Sequence, residues 1–81
     1  VQLYPNPTNG KVTLRYELEK GKKATLQFMH LTGSVITQKT LVGEGGWQQD
    51  QTDLSHQPNG AYLLRFEADQ RIITRKFTIV K

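Results

Sequence analysis

The sequence predicts an all-β domain, a seven-stranded antiparallel sandwich. Three observations carry that reading. Apolar and polar side chains alternate with a period of two in at least four segments, which is the signature of half-buried strands. Residues that favour turns separate these segments at intervals of roughly 8–12 residues, the spacing of sandwiches and barrels. No helix-length window carries apolar residues at i, i+3, i+4 and i+7, so essentially no α-helix is expected. A chain of 81 residues is one domain, spanning 1–81.

Each strand follows from its local pattern. Val1–Tyr4 is a short first strand. In Lys11–Glu17, Val12, Leu14 and Tyr16 face one way, while Thr13, Arg15 and Glu17 face the other. In Ala24–His30, Ala24, Leu26 and Phe28 form the apolar phase. Ser34–Leu41 and Trp47–Asp53 alternate more weakly. In Ala61–Glu67, Tyr62, Leu64 and Phe66 share a face, and Leu63 interrupts the polar face opposite. The last strand, Ile72–Lys81, sets Ile73, Phe77 and Ile79 against Ile72, Thr74, Lys76, Thr78 and Val80. Asn9-Gly10 and Asn59-Gly60 supply residues tolerant of positive φ just before strands. Thr32-Gly33-Ser34 is short enough to close a hairpin. Burying one face of each sheet in a two-layer stack satisfies the alternation and gives an immunoglobulin-like sandwich. NGKVTLRYE at Asn9–Glu17 and NGAYLLRFE at Asn59–Glu67 agree at five of nine positions. A turn that feeds an alternating strand accounts for that echo.

Composition narrows the function. The chain has no cysteine, which removes disulfides, zinc–thiolate sites and thiol catalysis. Two histidines, His30 and His56, are too few to close a zinc site, and no metal or cofactor is expected. Neither Ser34 nor Ser55 sits in a nucleophile elbow. Asp53-Leu54-Ser55 reads as a turn in which a side chain bonds nearby backbone amides. Gly43, Gly45 and Gly46 lack the Lys and the helix of a phosphate-binding loop. So small a domain has no core to spare for a deep catalytic cleft, and an enzyme is not expected. Eleven basic residues against seven acidic give a net charge of +4. The charges are dispersed, which reads as a solvated surface rather than a nucleic-acid site. Of the seven aromatics, Tyr16, Phe28, Tyr62, Phe66 and Phe77 occupy core phases, and Trp47 is expected to cover the core as a lid. With Met29 as the only methionine and no signal segment, the chain is expected to be a piece of something larger.

Short motifs follow one another in a telling order. Leu3-Tyr4-Pro5-Asn6-Pro7-Thr8-Asn9-Gly10 leads into a strand. LQFMHLTGSVI spans Leu26–Ile36. Asp53-Leu54-Ser55 and Pro58-Asn59-Gly60-Ala61-Tyr62-Leu63-Leu64-Arg65 come next. Thr74-Arg75-Lys76-Phe77-Thr78-Ile79-Val80-Lys81 closes the chain. This order closely resembles the type A C-terminal sorting domain of cargo proteins of the type IX (Por) secretion system, over essentially the whole chain. Four positions depart from that pattern: His30 stands where an acidic residue is usual, Ser34 where Arg is usual, Gln57 where Leu is common, and Asp69-Gln70 where glycine is common.

The resemblance implies a non-catalytic secretion signal at the end of an exported enzyme or adhesin. The parent would pass through the periplasm to the cell surface or medium. The implied partners are the outer-membrane translocon, shuttle and sortase proteins, with no nucleic acid and no transmembrane segment. The sorting-motif residues on this reading are Pro5, Asn6, Pro7, Leu31, Gly33, Gly60, Tyr62, Lys76 and Lys81. Pro5 and Pro7 would stiffen the lead-in and hold the parent at a defined angle, Asn6 would bond its own turn, and the last strand would offer an open backbone edge with solvated lysines. The competing reading is an accessory carbohydrate-binding or immunoglobulin-like module that holds glycan through Trp47.

Overall fold

The alternation resolves into two sheets. A computed structural model, which describes residues 1–81, contains seven strands: β1 (Gln2–Tyr4), β2 (Lys11–Glu17), β3 (Lys23–His30), β4 (Val35–Val42), β5 (Trp47–Asp53), β6 (Gly60–Ala68) and β7 (Arg71–Ile79). One sheet has the order β1-β2-β5 and the other β4-β3-β6-β7. All strand pairings are antiparallel. The expected seven-stranded antiparallel sandwich is the observed fold.

The core is the apolar phase of the central strands. Val12, Leu14 and Tyr16 from β2 meet Leu26 and Phe28 from β3, Leu64 and Phe66 from β6, and Phe77 and Ile79 from β7. Phe28, Leu26, Leu64 and Ile79 have no exposed surface. Tyr16 tilts against Phe66 at 5.6 Å between ring centroids, and Phe28 meets Phe77 edge-on at 6.0 Å, both favoured aromatic geometries. The repeated NG-strand pattern falls on β2 and β6. Each is an inner strand of its own sheet, and of the shared residues Leu14 and Leu64 fill the same buried phase.

β5 faces the core with Gln48, Asp50 and Thr52 rather than with aliphatics. Lys39 of β4 reaches across the gap between the sheets to Asp50 Oδ2 (2.8 Å) and to Gln51 O (3.1 Å). The Thr52 hydroxyl donates to the same carboxylate at 3.0 Å. This polar bridge closes the side of the sandwich where β4 and β5 are the edges. That phase turns Trp47 outward, where it is 50% exposed. The expected core lid is therefore corrected: the Arg15 guanidinium lies 5.0 Å from the indole centroid and covers one ring face by cation–π contact.

Candidate functional site

The residues singled out from the sequence lie far apart in the chain and meet at one end of the sandwich. The strand register puts them there. His30 at the end of β3 is opposite Tyr62 near the start of β6. Tyr62 is opposite Phe77, and Gly60 is opposite Ile79, at the end of β7. The β5–β6 loop and the start of β2 belong to the same end, because Lys11 pairs with Asp53.

Pro5, Asn6, Pro7 and Thr8 form the crossing between the sheets. The peptide bonds Tyr4–Pro5 and Asn6–Pro7 are cis. The chain leaves β1 and runs along the outer edge of β7, where Thr8 makes a parallel bridge with Ile79. Thr8 N donates to Thr78 O at 2.9 Å, and Val80 N donates to Thr8 O at 2.8 Å. The Asn6 carboxamide imitates a peptide unit, accepting from Thr78 N at 3.1 Å and donating to Lys76 O at 3.4 Å. Three expectations are corrected here. Asn6 bonds β7 rather than its own turn. The two prolines follow β1 and shape a crossover inside the domain rather than its entry. The edge of β7 is covered from Lys76 to Val80 and open only before it.

Thr8, at 2% exposure, is a residue the sequence reading missed. Its hydroxyl donates to Lys11 O and accepts from Gly10 N. The signal was present, since a Thr two residues before a turn glycine is a familiar side-chain-to-backbone turn former. Turn chemistry accounts for only part of Gly10, since a Cβ there would lie 2.5 Å from Ser55 Cα. With φ at +125°, no other residue fits this close approach comfortably. Gly10 O then accepts from Leu54 N at 2.7 Å, which ties the crossover to the β5–β6 loop.

That loop is held from several directions. Asp53 Oδ1 accepts from Ser55 N at 2.9 Å, the side-chain-to-amide turn the sequence indicated. The hydrogen bonds from Ser55 hold the Asp53 carboxyl below its ordinary pKa, with a smaller contribution from nearby Lys11 and His56. The Tyr62 hydroxyl donates to Pro58 O. Its ring stacks on Phe77 at 5.8 Å and tilts against His30 at 5.7 Å. Lys81 N donates to Asn59 Oδ1 at 3.1 Å. The Lys81 ammonium donates to both Ser55 O and Gln57 O, so the expected solvated head is a clamp on the loop. Lys76 is exposed as expected, on the outer face opposite Leu63.

The β3–β4 turn completes this end. Gly33 N donates to His30 O and His30 N donates to Ser34 O, each at 2.9 Å. Gly33 has φ of +97°, the left-handed position that closes a three-residue hairpin loop. The turn lifts Leu31 into solvent at 53% exposure, near Val35 at 48%. Val80, at 54%, adds an exposed apolar side chain at the same end. No group of three or more His, Cys, Asp or Glu is placed to hold a metal.

The model of the secretion system C-terminal sorting domain family matches residues 2–81. The chain belongs to that family. This sorting domain is a non-catalytic targeting signal of the type IX secretion system, and it directs secretion across the outer membrane. No curated protein matches the chain.

Proposed function

We propose that the sorting domain is recognised through the end that gathers Pro5, Asn6, Pro7, Leu31, Gly33, Gly60, Tyr62, Lys76 and Lys81. One observation carries this reading: residues up to 76 positions apart in the chain converge on one end, and side-chain bonds from Asn6, Asn59, Tyr62 and Lys81 hold it together. On this reading they divide by task. Pro5, Asn6, Pro7, Gly33, Gly60, Tyr62 and Lys81 set the shape. Leu31 and Lys76, both exposed, touch the partner, one through apolar surface and the other through charge.

The partners on this reading are the translocon and shuttle of the outer membrane, followed by a surface sortase that removes the domain. The parent domains, upstream of Val1, pass through the periplasm and finish at the surface or in the medium.

The test is export of a periplasmic reporter fused ahead of Val1, in a host that has the type IX machinery. Lys76→Gln and Leu31→Ser change solvated side chains and should leave stability within about 0.5 kcal/mol. Both variants should fold and remain in the periplasm. Export of both at the level of the unaltered domain would remove this end from consideration as the recognised surface. Lys81→Gln should also lower export, and its lowered melting temperature would mark it as a shape residue.

A further inference from the structure

The open half of the β7 edge lies away from the motif-bearing end. In β7 the backbone groups of Lys76, Thr78 and Val80 point away from β6, since their bonds go to Asn6 and Thr8. The antiparallel ladder alternates, so the N–H and C=O groups of Ile72 and Thr74 also point outward. No strand pairs with them. A single side chain guards this stretch: the Arg75 guanidinium donates to Thr74 O at 3.1 Å.

Beside this edge lies a cleft of about 730 Å³, with Val1, Leu18, Phe66 and Ile73 among its lining residues. Arg71, Ile73 and Arg75 all take the sandwich-facing phase of β7, in register with Ala68, Phe66 and Leu64. Ile73 packs partly on the core, while Arg71 and Arg75 are exposed. No carboxylate pairs with either arginine or with Lys76.

We propose that this edge takes an extended peptide strand from another protein, of the pattern acid–x–apolar–x–acid. The peptide's backbone would bond Ile72 and Thr74. Its apolar side chain would enter the cleft over Ile73, and its two carboxylates would meet Arg71 and Arg75. Strand addition draws affinity from main-chain bonds and selectivity from alternate side chains, and opposite charges across neighbouring strands are favourable. A carboxylate that draws Arg75 away also frees Thr74 O to accept. The other edges offer less. Lys39 occupies Gln51 O on the edge of β5, and β4 has no free charge to select a partner.

The probe is the capped pentapeptide Glu-Thr-Val-Thr-Glu, titrated into the isotope-labelled chain Val1–Lys81 and followed by amide chemical shifts and hydrogen exchange. The Ile72 and Thr74 amides should shift and exchange more slowly. The peptide with Lys in place of Glu should bind about tenfold more weakly. Thr74→Pro removes one outward N–H, which an edge position tolerates, and should abolish binding. Should that variant unfold, Arg71→Gln with Arg75→Gln should weaken binding about tenfold in a folded domain. Equal binding of the acidic and basic peptides, or shifts confined to β4 or β5, would overturn the proposal. So would pairing of β7 with a second copy of the chain in place of the peptide.

Discussion

At the scale of single residues, two glycines separate crowding from backbone strain. Gly10 and Gly33 both have positive φ. A Cβ on Gly10 would meet the Ser55 backbone at 2.5 Å, while one on Gly33 would meet nothing within 4 Å. Gly33→Ala should therefore cost about 1 kcal/mol of backbone strain alone, and Gly10→Ala about 2 kcal/mol or more, read as urea midpoints of the folded domain. The hairpin between β6 and β7 runs the other way. Asp69 and Gln70 hold φ of 48° and 64°, a two-residue turn that suits Asn-Gly. Gln70→Gly removes the strain of a side chain in the left-handed region, and Asp69 tolerates that region. The variant should be more stable than the parent by about 0.5–1 kcal/mol, measured by thermal unfolding.

At the scale of elements, the β5–β6 loop carries a pH dependence of known sign. Asp53 has its pKa lowered on folding, chiefly by the hydrogen bonds from Ser55. A carboxyl depressed in the folded state stabilises at pH values above its unfolded pKa, and that contribution is lost as pH falls through the folded pKa. The loop should hold unchanged from neutral pH down to about pH 4 and loosen below it. Asp53→Asn keeps the acceptor without the titration. Protection of the Ser55 amide, its exchange relative to an unfolded chain at the same pH, should fall in acid for the parent and not for the variant. The strands were legible to different degrees for physical reasons. β2 is bounded as expected because its two phases differ sharply in polarity. β4 starts one residue later than expected and carries a register shift opposite Phe28 and Met29, which alternation alone does not announce. Trp47 lies outside the core because β5 turns Gln48, Asp50 and Thr52 inward, a polar inner phase that alternation cannot distinguish from an outer one.

At the scale of the whole molecule, stability depends on a chain end that contributes little to the core. Val80 and Lys81 are exposed, yet Val80 N bonds Thr8 O and Lys81 bonds Asn59, Ser55 and Gln57. Removing the two residues deletes these bonds, each contributing about 0.5–1.5 kcal/mol. A domain of this size shifts its melting temperature by about 4–8 °C per kcal/mol. The truncated domain should therefore melt several degrees lower and keep its β-sheet circular dichroism; unchanged melting would show that the clamp is loose in solution. Little of this end was readable in advance. The motifs pointed to its residues, but Asn6 lies 72 residues from Thr78, and no local pattern reveals a side chain that stands in for a strand.

The bonds from Thr8 to Val80 and from Asn59 to Lys81 also set an order in time. A ribosome makes Pro5 and Gly60 well before it makes β7, and the crossover at Pro5 and the pairing of Gly60 wait for β7. A nascent or broken chain that stops short of β7 therefore displays the right letters without the word they spell. On the proposed reading, the export machinery inspects a folded surface that exists only once β7 has joined it. Cargo broken before β7 then stays behind without any separate inspector.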